Sequence, residues 1–271
     1  MKTETETAMN PNDMKEPTFI SILGRAFSIM EQLLMSDEPM GVSQLSRETG
    51  IPKANTFRIV KTLEELNAIS PEGDGYVLGS KMIELGTGAK KNDQFVSLAI
   101  PFLQKLSAAC GETVNLGIPF RNSILVLHTE LAEQRSLVAS LPPITPLYCS
   151  SIGKIFLARK TDAELVQYFA ETQPRKRTVH TIVTPERFLG EREAILREGI
   201  SHDREEYDYG LSCMAAPVFL RGQLAAGISL SGPTSRLQYK GYPQLEEKLQ
   251  ATAKALSEEL TRKGAALPDI Y

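Results

Sequence analysis

Apolar residues recur with helical spacing near the start of the chain. Positions 22, 23, 26, 27, 30, 33 and 34 form one stripe, which predicts a first helix. A second, short helix is predicted over residues 42–49, because Gly50 is a typical residue after a helix end. Pro52 suits the start of a third helix, which the apolar pattern extends to about residue 67.

The segment "AISPEGDGYVLG" follows the third helix and predicts a β-hairpin, because two short extended runs flank Glu72-Gly73-Asp74-Gly75. Three helices with a tight turn before the third, followed by a hairpin, are typical of a winged helix-turn-helix. The sequence therefore predicts such a domain over residues 19–80. The polar residues 1–18 before it are predicted to be a disordered tail.

The third helix is predicted to present cations outward. On a helical wheel, Ile59, Val60, Leu63 and Leu66 share one side, and Arg58 and Lys61 share the other with Ala54. The positive end of the helix dipole adds to these charges, so DNA is the predicted partner. A solvated cationic face is the alternative, since residues 17–91 carry eight Lys and Arg against nine Asp and Glu.

The pattern changes beyond residue 80. Residues 81–110 predict two connecting helices with a weak break between them, and residues 111–271 predict a second domain. Its short β-like runs are "ETVNLGIPF", "SILVLHTEL", "SLVASLPP", "CMAAPVFL" and "QLAAGISLSG". Helices are predicted at 151–159, 162–170, 185–198 and 243–263. This mixed order predicts an α+β domain with an antiparallel sheet.

Composition narrows the class of protein. The chain has 271 residues with 42% hydrophobic and 23% charged residues, and a formal net charge of −3. No signal peptide or membrane span is expected. The three cysteines are far apart in the sequence and form no CxxC pair, and the three histidines are scattered, so no metal site and no cofactor are predicted. The expected compartment is the cytoplasm.

Several motifs in register resemble the IclR family of bacterial transcription regulators. They are "RAFSIMEQL", "GIPKANTFRIVKTLEELN", "YVLGSKMIELG", "PLYCSSIGKIFLA", "GISHDREEYDYGLSCMAAPVF" and "AAGISLSGP". The resemblance covers nearly the whole chain from about Phe19 and looks closest to the sugar-acid regulators of the family. It implies a DNA-binding regulator, most simply a repressor, that works as a homodimer or tetramer on a palindromic double-stranded operator.

The resemblance also implies residue roles. The DNA-contacting residues would be Lys53, Ala54, Asn55, Thr56, Arg58 and Lys61. The family commonly has Ser-Thr where this chain has Ala54-Asn55, which bears on the target sequence. A GAF-like C-terminal domain would bind a small organic acid, a sugar acid or keto acid. The effector-binding residues would be Ile152, Gly153, Asp203, Cys213, Ser229 and Ser231.

Physical chemistry supports parts of this ligand site. Ser229 and Ser231 alternate along a predicted strand, so both hydroxyls lie on one face. A helix is predicted to begin at residues 151–153, and the backbone N–H groups of its first turn would attract an anion. Asp203 would then contact the hydroxyls of the ligand. In the alternative interpretation, Cys213 is a small buried hydrophobic residue and Asp203 belongs to a solvated turn.

A hydrolase using Ser229 or Cys213 is the competing class. "GISLSG" nearly matches the nucleophile elbow G-x-S-x-G, but Ser231 replaces the final glycine, and "PTSR" after it is predicted to begin no helix. A third possibility is an architectural DNA-binding protein that responds to no small molecule. The identity of the effector, the operator, the direction of regulation and the choice between dimer and tetramer stay open.

Overall fold

The computed structural model describes residues 20–36, 38–91, 94–132 and 142–267. The chain divides into two compact units, Met1–Asn92 and Asp93–Tyr271. Two predictions lie outside the described residues, namely the disordered tail at 1–18 and most of the strand predicted from "SLVASLPP".

The first unit is built from helices and one hairpin. Its elements are α1 (Ser21–Met35), α2 (Val42–Thr49), α3 (Lys53–Glu65), β1 (Ile69–Glu72), β2 (Gly75–Leu78) and α4 (Ser80–Lys91). Ile29, Leu45 and Val60, one from each of the first three helices, meet in the core with no exposed surface. Gly50 ends α2 in the left-handed region at φ 68°, which turns the chain into α3 as the sequence predicts.

The second unit surrounds one antiparallel sheet. Its elements are α5 (Gln94–Cys110), β3 (Thr113–Phe120), β4 (Ser123–Glu130), β5 (Ile144–Pro146), α6 (Ser151–Leu157), α7 (Asp162–Thr172), α8 (Pro185–Glu198), β6 (Ser201–Arg204), β7 (Leu211–Leu220), β8 (Gln223–Pro233), α9 (Thr234–Lys240) and α10 (Tyr242–Arg262). The strand order is β5-β4-β3-β8-β7-β6 and all neighbours are antiparallel. The predicted α+β class, with a winged helix-turn-helix first and an antiparallel-sheet domain second, is confirmed.

Alternation along the strands separates two helical layers. Leu116 of β3, Met214 of β7 and Ile228 of β8 pack with α5 and α10 in one hydrophobic core. Ala215, the next residue of β7, instead packs with residues of α6, α7 and α8 on the opposite face. Ala215 of β7 and Gly227 of β8 therefore face α6, and the predicted ligand residues Cys213, Ser229 and Ser231 lie at alternate positions on the same face.

Three elements escaped prediction. β5 and β6 are three and four residues long, too short for a periodic signal. The expectation that "PTSR" begins no helix is wrong, because α9 starts at Thr234 directly after Pro233. Within the predicted connecting segment 81–110, α5 buries Phe95 and Leu103 completely, so it forms part of the core of the second unit.

Candidate DNA-binding helix and ligand cavity

The outer face of α3 carries a stripe of exposed side chains. Ala54, Phe57, Arg58 and Lys61 are exposed, and their spacing of three and four residues aligns them along the helix. Lys53 is also exposed at the first turn. The described residues include no acid paired with Lys53 or Arg58, so both cations remain available to an anionic partner.

Lys61 is engaged on the surface of its own unit. Its Nζ donates to Glu64 Oε2 at 2.7 Å and lies 6.0 Å from the centre of the Tyr76 ring. The hydrogen bond to Glu64 raises the pKa of Lys61, so the ammonium stays charged. Exposed ion pairs of this kind contribute little to stability, and a phosphate can replace the glutamate.

Thr56 does not lie on this surface, which corrects its predicted role in DNA contact. Its side chain is fully buried, because residue 56 shares the inward face with Ile59 and Val60. The Thr56 hydroxyl donates to Ile51 O at 3.1 Å, and Ser46 Oγ donates to the same carbonyl at 2.6 Å. Thr56 therefore stabilises the turn between α2 and α3.

Two neighbours of this surface also differ from expectation. Phe57 is 51% exposed and was assigned no role from the sequence, although its position three residues after Ala54 could have revealed it. Phenylalanine on a groove-facing helix can contact the methyl group of thymine. Leu66 was expected in the core but is 60% exposed, since α3 ends at Glu65 and the chain turns there.

A polar network crosses the α6-facing side of the sheet in the second unit. Asn115 Nδ2 donates to Ser229 Oγ at 3.3 Å and to Ser231 Oγ at 3.2 Å. Asn115 Oδ1 accepts from Thr129 Oγ1 at 2.9 Å, and Ser231 pairs with Cys213 across β7 and β8. Sequence reasoning missed Asn115, although an asparagine within the apolar run "TVNLGI" is a signal of a buried polar function.

Asp203 continues this network on the edge strand β6. It is 1% exposed and lies opposite Cys213 in the sheet. Its Oδ1 accepts from the backbone N–H groups of Glu206 at 2.7 Å and Tyr207 at 3.2 Å, so the side chain is fixed and is not in a solvated turn. Burial raises the pKa of Asp203 to about 7, and repulsion from Glu206 adds to the rise.

A buried cation lies close to Asp203 but is already paired. Lys154 of α6 has no exposed surface, and its Nζ contacts Glu206 Oε1 at 2.6 Å and Glu191 Oε2 at 2.5 Å. Burial raises the pKa of Glu206, while Lys154 opposes that rise. The ammonium of Lys154 is therefore committed to two carboxylates. Nothing in the sequence pattern singled out this lysine.

Four of the six predicted ligand residues line one small cavity. They are Ile152, Asp203, Cys213 and Ser229, and the rest of the lining is Asn115, Val126, Thr145, Ser150, Ser151 and Tyr207. Ser231 joins through its hydrogen bond from Asn115 but is not part of the wall. The cavity measures about 20 Å³, which is room for roughly one or two water molecules.

Gly153 contributes packing to this cavity. A Cβ on Gly153 would lie 2.4 Å from Leu147 Cα, so only glycine fits against the preceding turn. The Gly153 N–H donates to Ser150 Oγ, the N-cap of α6, at 3.2 Å. The backbone anion site predicted at residues 151–153 thus has one of its donors occupied within the chain.

A larger groove lies on the opposite side of the sheet, between α5 and α10. It measures about 560 Å³ and is lined largely by small or apolar residues such as Ala109, Ala251 and Ala255. Polar groups that converge on a ligand are the feature that distinguishes a specific small-molecule site. The small cavity has buried polar groups joined by hydrogen bonds, whereas the charged groups of this groove, Lys105 and Lys248, are exposed.

The described residues offer little support for hydrolytic chemistry at this cavity. Ser229 lies within β8 and accepts from Asn115, and no histidine lines the described wall. Burial raises the pKa of Cys213 well above its ordinary value, so the thiol stays protonated and weakly nucleophilic.

The part of the chain that the structure describes contains no cluster of three or more His, Cys, Asp or Glu suited to a metal ion. No helix among the described residues is long and apolar enough to cross a membrane.

The fold defines a winged helix-turn-helix DNA-binding protein with a second, sheet-based domain. Residues 23–72 match the family model "IclR helix-turn-helix domain", and residues 88–258 match "Bacterial transcriptional regulator IclR C-terminal". The chain belongs to the IclR family of transcription regulators.

Named relatives agree with this assignment. The chain is 29% identical over 250 residues to the HTH-type transcriptional regulator KdgR of Dickeya chrysanthemi, covering 91% of this chain and 82% of KdgR. It is 31% identical over 245 residues to the HTH-type transcriptional repressor AllR of Salmonella paratyphi A, covering 89% of this chain and 90% of AllR. The crystal structure of the Thermotoga maritima IclR aligns with a TM-score of 0.62 at 26% identity, covering 88% of this chain and 98% of that one.

Proposed function

We propose that this protein is a transcriptional repressor whose operator binding is modulated by a small organic acid bound in the second unit. The observation that carries the proposal is the pairing of two features in one chain. One is the exposed stripe Ala54, Phe57, Arg58 and Lys61 on α3, and the other is the buried polar network around Ser229. The relative KdgR is named a transcriptional regulator and the relative AllR a transcriptional repressor, and the second name supports the direction proposed.

The stripe on α3 is suited to the major groove. Arg58 can contact guanine or phosphate, Lys53 and Lys61 can contact phosphates, and Phe57 can pack on a thymine methyl group. Ala54 and Asn55 at the first turn complete the proposed contact set. One such helix reads only a few base pairs, so a palindromic operator read by two copies is the natural target.

An apolar surface on α1 is proposed as the dimer contact. Ile20, directly before α1, and Leu23, Phe27 and Leu34 within it recur at helical spacing and are 60%, 57%, 63% and 41% exposed. We name these four residues the α1 patch. Contiguous exposed apolar surface of this kind is typical of a protein interface. A second copy of the chain is the proposed occupant, because a symmetric pair brings two recognition helices to two half-sites.

Replacing Phe27 with glutamate is expected to weaken dimerisation about tenfold or more, since it places a charge in the middle of the α1 patch. Sedimentation velocity over a range of protein concentrations measures the change. Val166→Glu is the matched control, because Val166 is also 55% exposed but lies on α7. A wild-type protein that stays monomeric at micromolar concentration, or a Phe27→Glu variant that dimerises normally, contradicts the proposed contact.

The cavity beside Ser229 is proposed as the effector site. Its neutral donors and acceptors suit the hydroxyl, keto and carboxylate groups of a sugar acid or keto acid. An acid needs more space than about 20 Å³, so ligand binding has to separate the cavity walls. The bound acid would contact segments that are distant in sequence and would shift them relative to one another. We propose that this shift reaches the first unit through α5, because α5 directly follows the boundary between the units.

A screen for thermal stabilisation tests the effector proposal, because a ligand that binds the folded state raises the melting temperature. The panel contains pyruvate and glyoxylate as keto acids and gluconate and galacturonate as sugar acids. At least one acid is expected to stabilise the protein and to change its affinity for DNA. Turnover of an acid or an ester would favour the hydrolase alternative, and DNA binding that ignores every acid would favour an architectural protein.

A further inference from the structure

The cavity that would receive the effector is uncharged apart from Asp203. Its described lining contains no Lys, Arg or His side chain. A carboxylate that enters it therefore meets an acidic side chain and no cation. Burying two anions together without a counter-charge is strongly unfavourable in a low-dielectric interior.

The nearest buried cation does not resolve this conflict. Lys154 already contacts Glu206 and Glu191, so the cluster has one ammonium for three carboxylates when Asp203 is ionised. An effector would add a fourth negative charge. Breaking a Lys154 contact to pair with the effector would leave Glu206, which is 4% exposed, buried without its partner.

The other groups that face Asp203 are neutral or lie farther out. Cys213 of β7 and Cys149 before α6 are thiols whose pKa values burial raises, that of Cys149 to about 12. Arg177 is exposed, stacks 4.1 Å from the centre of the Tyr207 ring, and donates through Nε to Tyr207 O at 3.0 Å. Arg177 is thus a competing source of positive charge next to the described wall, and the N–H groups at the N-terminus of α6 are another.

We propose that Asp203 is protonated when the effector is bound and donates a hydrogen bond to the effector carboxylate, in place of the ligand hydroxyls expected from the sequence, so that binding at alkaline pH takes up one proton from solvent. This inference rests on the proposed effector function and deepens it. No covalent bond other than the O–H bond of Asp203 is formed. The arrangement selects a ligand with one carboxylate and rejects a dianion, because only one acidic proton is available to it.

The sign of the pH dependence follows from the unliganded protein. The pKa of Asp203 there is raised to about 7, so well below that pH the carboxyl already carries its proton and binding takes up none. Well above it, the carboxylate has to be protonated as the effector binds. The affinity is then expected to fall about tenfold for each pH unit above about 7, while it stays level below about pH 6.

Isothermal titration calorimetry measures this uptake directly. The titrant is whichever of pyruvate, glyoxylate, gluconate and galacturonate gives the largest thermal stabilisation. Each titration is run in two buffers with different enthalpies of ionisation, because the difference in measured heat gives the number of protons taken up. Uptake close to zero is expected at about pH 6 and close to one at about pH 8.5.

The Asp203→Asn variant tests whether Asp203 is the group that takes up the proton. The amide oxygen can still accept from the backbone of Glu206 and Tyr207, and the amide N–H₂ can donate to the effector without a proton from solvent. This variant is expected to bind with the same affinity at about pH 6 and about pH 8.5 and to take up no proton. Asp162→Asn, which changes an exposed acid on α7, is the matched control and should keep the wild-type pH dependence.

The outcomes separate the inference from the proposed function. If no acid of the panel binds at any pH, the effector proposal fails and the proton inference fails with it. If an acid binds without proton uptake at alkaline pH, as it would if Arg177 or the N-terminus of α6 balanced its charge, only the inference is overturned. Uptake that persists in Asp203→Asn also overturns it, because the proton then belongs to another group such as Glu206.

Discussion

Replacing Arg58 with alanine is expected to weaken binding to a specific DNA duplex by about 1–3 kcal/mol, or roughly 5- to 150-fold. Arg58 is exposed on the outer face of α3 and is not paired with an acid among the described residues. A guanidinium that makes two hydrogen bonds to guanine loses both on truncation. The duplex can be selected by the protein from a random pool, and fluorescence anisotropy at fixed ionic strength gives both affinities.

Two companion variants separate base contact from general charge. Arg197→Ala removes an exposed arginine from α8 and should leave DNA affinity within about twofold, because its charge is not on the groove-facing surface. Arg58→Lys keeps the charge but not the two-pronged geometry, so it should recover little affinity if the contact is to a base. Unchanged binding by Arg58→Ala would contradict the proposed role of α3.

The double variant Ser229→Ala and Ser231→Ala is expected to abolish the effector response while operator binding in the absence of effector is retained. Both hydroxyls accept from Asn115, so their removal leaves the Asn115 amide without these partners beside the cavity. If the acid no longer changes DNA affinity, the whole coupling energy between the two binding sites is lost, typically about 1–3 kcal/mol. Anisotropy titrations with and without the stabilising acid measure it.

The controls for the serine variant address folding and location. Loss of two buried hydrogen bonds is expected to lower stability by about 1–3 kcal/mol, so melting curves must show that the variant is folded at the assay temperature. Ser235→Ala, at an exposed position on α9, makes the same chemical change outside the cavity and should respond normally. A double variant that responds like the wild type would show that the ligand binds elsewhere.

Much of α3 was predictable because its pattern is strongly periodic. Ile59, Val60 and Leu63 define the buried face, and Arg58 and Lys61 follow as the outer face. Thr56 was misplaced because it is polar, and only its position next to Ile59 and Val60 on the wheel reveals that it is buried. Its hydroxyl is satisfied by backbone carbonyls of the turn, which composition alone does not indicate.

The ligand cavity was only partly predictable, for a different reason. Ser229 lies on the expected face because alternation along one strand is a local property. Asn115 and Lys154 join the site through contacts between β3, β8, α6 and the segment after β6, and such contacts depend on strand order. The raised pKa of Asp203 likewise depends on burial, and burial could not be predicted there because a four-residue strand is too short to show a periodic pattern.

Reciprocal coupling between acid and DNA tests the central proposal most directly. The affinity of the protein for its selected duplex is measured with and without the stabilising acid, and the affinity for that acid is measured with and without the duplex. The two ratios are expected to be equal and to lie at roughly 5- to 150-fold, with the acid weakening DNA binding. An acid that binds the protein but changes DNA affinity by less than about twofold, corresponding to a coupling energy near zero, would contradict the account.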